Sequence, residues 1–166
     1  MNPLYLFIPL LFILMIACRS ATGQTNQEGT VLHNTDISEL GQLIQLPAQP
    51  QNVYWQTYEK GDGRSELGPT DWELVAILEY DPATVTELRT QMALQTHPNE
   101  LFINPDFVKS WFPQSVKNIF VADAAYDDYL KLDGDRYEPD MFVQSPLLNG
   151  YVIVLDNLIF VYLYTM

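Results

Sequence analysis

The sequence predicts an α+β domain: an antiparallel sheet of about four or five strands with two or three helices packed on it, in the order ββααββ. Three observations predict it. Near the C-terminus two runs of β-branched, aromatic and aliphatic residues, 151–155 and 158–165, flank Asp156-Asn157. A third run, 72–80, alternates with the period of a strand. Between these strands Asp81-Pro82 and Asn104-Pro105 each place a capping side chain directly before a proline, a helix-start signal.

Taken in order, residues 35–46 carry Ile37, Leu40 and Ile44 at helical spacing, with Asp36 or Ser38 as N-cap, and Pro47 and Pro50 end that helix. Residues 53–59 are rich in strand-forming types. In 72–80, Trp72, Leu74, Ala76, Leu78 and Tyr80 share one face, and Glu73 and Glu79 lie on the other with Val75 and Ile77 between them. The Gly- and Pro-punctuated stretch between the two strands reads as a loop. After Asp81-Pro82, Val85, Leu88 and Met92 form one stripe of a helix that ends near Leu94, before His97-Pro98. Asn104-Pro105 opens a second helix carrying Phe107, Val108, Trp111 and Phe112, which Pro113 must break because it has no N–H to donate. Val116, Ile119 and Phe120 form a further short turn. Residues 121–140 have no clean period, and 141–145 offer an edge strand before Pro146. Asp156-Asn157 suits a type I′ hairpin, since both residue types tolerate positive φ. The two flanking strands are apolar on both faces and belong at the centre of a covered sheet.

The organisation of the chain is set by its start. Residues 3–17 are uncharged and largely Leu, Ile, Phe and Met. A helix of that length rises about 22 Å, short of a roughly 30 Å hydrocarbon core, which fits the apolar region of a signal peptide. The single cysteine follows at once. Met15-Ile16-Ala17-Cys18 resembles the lipobox of bacterial lipoprotein precursors, with Met15 where Leu is usual and no basic residue before Arg19. The resemblance implies cleavage before Cys18, a diacylglycerol on its sulfur and residence in the cell envelope, held to the membrane by that lipid. Because Arg19 stands where inner-membrane retention uses Asp, it also implies the outer membrane, facing the periplasm. The expected organisation is a signal peptide over 1–17, a lipidated Cys18 with a polar tether over 18–30, and one α+β domain over 31–166.

Composition narrows the function. The chain of 166 residues carries 21 Asp and Glu against eight Lys and Arg, a formal net charge of −13, with no basic run. A phosphate backbone would be repelled, so nucleic acid is not an expected partner. A basic protein would be attracted. No motif asks for a cofactor. His33, placed with the tether, and His97 are the only imidazoles, too few for a zinc site. There is no G-x-S-x-G or H-E-x-x-H pattern to mark a catalytic residue. Around Gly134 the calcium-loop frame fails, since its first and third positions would be Tyr129 and Lys131. An irregular calcium site would have to use Asp123, Asp127, Asp133 and Asp135.

One segment stands out as a candidate binding surface. Residues 121–140 hold seven carboxylates against Lys131 and Arg136, with tyrosines interleaved. The binding candidates are Tyr126, Asp127, Asp128, Tyr129, Asp133, Asp135 and Tyr137. The alternative is that the tyrosines pin an acidic solvated loop onto the sheet, while Trp55, Trp72 and Trp111 belong to the core. The sequence thus points to a non-enzymatic binding or structural module. Two alternatives stand beside it: an inhibitor or immunity protein against a basic toxin or cell-wall hydrolase, and a hydrolase whose site forms only in three dimensions.

Overall fold

Strand alternation builds a five-stranded antiparallel sheet that is covered on both faces. The structure, a computed structural model, describes residues 33–60, 71–96 and 101–165. Cys18, the expected signal peptide and tether, the loop after the first strand and His97 lie outside the described residues. The elements run α1 (Ile37–Leu43), β1 (Asn52–Lys60), β2 (Asp71–Glu79), α2 (Pro82–Gln91), a 3₁₀ turn (Pro105–Phe107), α3 (Gln114–Lys117), β3 (Phe120–Ala122), β4 (Leu130–Leu132), β5 (Arg136–Tyr137), β6 (Asn149–Val154) and β7 (Leu158–Tyr164). The α+β class is therefore as expected, with a helix in front of the first strand and three short strands before the final hairpin.

The large sheet has the order β1-β2-β7-β6-β5, and β3 pairs with β4 in a separate ribbon. Its centre is β7, hydrogen-bonded to β2 on one side and β6 on the other. Leu74, Ala76 and Leu78 of β2, Ile159, Val161 and Leu163 of β7, and Val152 and Val154 of β6 form the first face. That face is buried under Leu40 and Ile44 at α1, Val85 and Leu88 of α2, and Phe142. Val75, Ile77, Tyr151, Ile153, Leu158 and Phe160 form the second face, capped by Ile103, Phe112, Val116, Ile119 and Phe120. Two of the three helix starts read from the sequence open capped α-helices. Asp36 accepts from the Glu39 N–H, and Asp81 accepts from the Ala83 and Thr84 N–H groups.

Several expectations are corrected. The helix after Asn104-Pro105 is a single 3₁₀ turn; Asn104 caps it, but Val108 is already extended, so Phe107 folds onto the sheet from that turn and Phe112 from irregular backbone. Residues 141–145 hold turns and an isolated bridge from Gln144 to Leu147, not an edge strand, and the sheet's edges are β1 and β5. The Asp156-Asn157 turn is not type I′, because no non-glycine residue among those described has positive φ. The Leu155 N–H still closes it onto Leu158 O at 2.8 Å, and the Tyr80 N–H takes Asn157 O at 3.0 Å. A tertiary hydrogen bond thus anchors this turn. Trp72 is 39% exposed, while Trp55 is buried as expected. His33 belongs to the folded domain, stacked on Trp111 with ring centroids 5.2 Å apart.

Candidate functional site

The second sheet face is closed along most of its length and opens at one end. There the alternation of β2 and β7 places Glu73 and Tyr162 on the same side, with Glu73 paired in register to Tyr164 and Val75 to Tyr162. Tyr151 of β6 sits directly opposite Tyr162. The cap residues Ile103 and Phe107 reach this end, with the Phe107 ring edge-on to Tyr162 at a centroid separation of 5.5 Å, but do not fill it. They leave a hollow of about 320 Å³ lined by Glu73, Tyr151 and Tyr162 from the sheet and by Leu101, Phe102, Ile103, Asn104 and Phe107 from the cap.

Glu73 is the one buried charged residue among those described. A carboxylate in such a place needs hydrogen-bond partners. The Tyr162 hydroxyl donates to its Oε1 at 2.5 Å, within the range of a charge-assisted bond. The tyrosines here are held as neutral phenols. Burial, then the nearby Glu73 charge, pushes Tyr58 up to about 12. Tyr162 is raised further, by burial first and then by its bond to Glu73. Burial also raises Tyr151, with Arg136 opposing. At neutral pH these groups act as hydrogen-bond donors and apolar walls, not as bases.

No protein-family model, curated protein or solved structure matches this chain. The reading of the site therefore rests on its own geometry.

Phe102 is the wall this hollow shares with the outer surface. Residues 101–104 run alongside β4 through paired bonds: the Ile103 N–H reaches Leu130 O at 2.9 Å, and the Leu130 N–H reaches Ile103 O at 2.8 Å. Extended backbone alternates, so Ile103 enters the core and Phe102 turns outward, 50% exposed. The β3–β4 turn brings two more rings to it. Asp123 Oδ1 accepts from the Ala125 and Tyr126 N–H groups, and the Tyr129 N–H closes onto Tyr126 O. Tyr126 and Tyr129, 55% and 42% exposed, both stand nearly perpendicular to Phe102 at centroid separations of 5.1 and 6.0 Å. These three rings enclose a shallow outer hollow of about 230 Å³. A third and smaller hollow, on the Leu101 side of Phe102, is lined by Asp123, Lys131 and Arg136.

The residues singled out in 121–140 thus separate. Tyr126 and Tyr129 come together, with the exposed Asp127 and Asp128 between them at the tip of the turn. Asp133 and Asp135 are exposed in the next turn, around Gly134 at φ 124°. Tyr137 lies on β5 and packs against the first core, on the other face of the sheet. Pinning by tyrosine is therefore true of Tyr137, not of the other two. Among the described residues no group of three His, Cys, Asp or Glu side chains is placed to hold a metal ion. Sequence reasoning missed Phe102 and Glu73. Phe102 lies in a stretch without periodicity, and Glu73 reads as the wet end of a strand, because its partner Tyr162 comes from a strand distant in sequence.

Proposed function

We propose that this chain is a lipid-anchored protein of the bacterial cell envelope whose domain is a non-enzymatic binding module, with its partner seated at the aromatic groove. The observation that carries the binding reading is the convergence of Phe102, Tyr126 and Tyr129 on one surface. Large apolar side chains scattered singly over a surface are ordinary, and a contiguous set beside a hollow marks a contact site. The lipid anchor rests on the resemblance of Met15-Ile16-Ala17-Cys18 to a lipobox. No helix among the described residues is long and apolar enough to cross a membrane. The formal net charge of −13 supports a narrower reading of the same class, an inhibitor or immunity protein directed at a basic toxin or cell-wall hydrolase.

Two measurements test the two halves. Cys18→Ser should release the protein from the membrane fraction, and mass spectrometry of the wild type should show an acylated Cys18. An unmodified thiol in the membrane-bound protein would remove the anchor. For the module, full-length protein in detergent should retain a partner from envelope extract that the Phe102→Ala/Tyr126→Ala variant does not retain. Equal retention by both would remove the groove.

A further inference from the structure

Three hollows meet at Phe102, and their chemistry narrows what binds there. The outer one offers three exposed rings in a perpendicular arrangement, with Asp127 and Asp128 inside the same turn. The inner one has apolar walls from Phe107 and Tyr151, with Glu73 among its lining residues. Aromatic faces carry the negative end of a quadrupole and attract cations, and carboxylates add to the same field. Lys131 and Arg136 line the third hollow, on the Leu101 side, so the face of Phe102 that suits a cation is the one toward Tyr126 and Tyr129, with Asp127 and Asp128. The side chains of arginine and lysine fit both parts, because each has an apolar stem and a cationic head. The protein makes the same contact internally on this sheet face, where Lys109 Nζ lies 5.1 Å above the Tyr58 ring.

We infer that the groove is a docking site for a cationic polypeptide segment. One basic side chain stacks among Phe102, Tyr126 and Tyr129 beside Asp127 and Asp128. The chain's net charge steers such a segment in over long range, and the rings select it at close range. This deepens the binding-module reading and rests on it.

The test uses full-length protein in nonionic detergent and two labelled decapeptides. One alternates Arg with Gly; the other has citrulline, the same shape without the charge, at each Arg position. Fluorescence anisotropy at ~150 mM salt, where surface fields are largely screened, reads the affinity. The Arg peptide should bind, and the citrulline peptide should bind at least about tenfold more weakly. Phe102→Ala/Tyr126→Ala/Tyr129→Ala should cost about tenfold without altering any charge, and Asp127→Asn/Asp128→Asn should also weaken binding. Glu87→Gln/Asp156→Asn, which removes the same charge from exposed sites on α2 and the β6–β7 turn, should stay within about twofold. Should the triple variant melt early, Tyr126→Ala alone serves, since that ring is 55% exposed.

Equal binding of the two peptides, wild-type affinity in the ring variants, or equal losses from the two charge-removing pairs would each overturn the cationic assignment. Ring-dependent binding of a neutral chito-oligosaccharide that the Arg peptide does not displace would overturn it too, and leave the binding module standing. If in addition the envelope partner is indifferent to the rings, the module reading falls as well.

Discussion

Gly150 and Gly41 should respond to alanine in opposite directions. Gly150 is the second residue of β6, paired with Leu163 of the central strand, and its φ is 149°. A Cβ built there would lie 2.0 Å from Tyr162 O, 2.9 Å from Tyr162 C and 3.0 Å from Leu163 Cα. All three are backbone atoms of β7, so no side chain can rotate out of the way. The strand must either shift or lose the pairs Asn149–Tyr164 and Gly150–Leu163. Strained φ costs about 1–3 kcal/mol, and each lost ladder bond about 0.5–1.5. A total near 3 kcal/mol should lower the melting midpoint by about 10 °C in a domain of this size. Gly41 lies inside α1, and its Cβ would meet only Leu46 Cδ1 at 3.6 Å, an ordinary contact. Gly41→Ala should therefore stabilise by about 0.5–1 kcal/mol, the usual gain from removing a helical glycine. Thermal unfolding followed by tryptophan fluorescence measures both. A Gly150→Ala midpoint within about 1 °C of wild type would refute the close β6–β7 approach on which the geometry of Tyr151 and Tyr162 depends.

Truncation after Asp156 should abolish folding. It removes Leu158, Ile159, Phe160, Val161 and Leu163, all buried, at roughly 1.5–3 kcal/mol each against a whole-domain stability of about 5–15; a cooperative melt of the truncated chain would contradict the central position of β7. Alkali should unfold the protein through its tyrosines. Tyr58 and Tyr80 hold their protons up to about 12 in the fold against an ordinary value of 10.0. Their contribution is complete below the ordinary value and is lost as pH rises through the folded one. Absorbance of tyrosinate should lag behind pH until the fold gives way, and titration of all ten tyrosines near pH 10 in folded protein would count against it. Asp81→Ala should lower the melting midpoint by uncapping α2. The Thr84 hydroxyl and N–H hold the Asp81 carboxyl below its usual range, so wild type and variant should converge only as pH falls below that range, through the lowered folded value. A difference independent of pH would show that the cap does not depend on the ionised carboxylate.

Short-range signals were legible wherever a local rule acts alone. Asp36 and Asp81 cap helices because a side chain two or three residues away from an N–H needs no distant partner. The two faces of β2 follow from alternation, and β7 belongs at the centre because Ile159, Phe160 and Val161 leave neither face polar. The same rules failed where distant chain intervenes. Asn104-Pro105 signals a helix, yet Phe107 and Phe112 gain more by folding onto the second sheet face than one regular helix would allow. The Asp156-Asn157 turn takes its form with Tyr80 bonded across to it.

The candidate site divides along the same line. Sequence determined the class of fold, the strong acidity, the lipobox-like start and the richness in tyrosine and aspartate of 121–140. Tertiary structure decided which of those residues form a surface. It set Tyr137 against the opposite core, brought Phe102 from an unpatterned stretch to Tyr126 and Tyr129, and buried Glu73 beside Tyr162. Propensity and periodicity act over a few residues, whereas the groove joins backbone from β2, 101–104 and the β3–β4 turn, whose approach is governed by burial of the second sheet face.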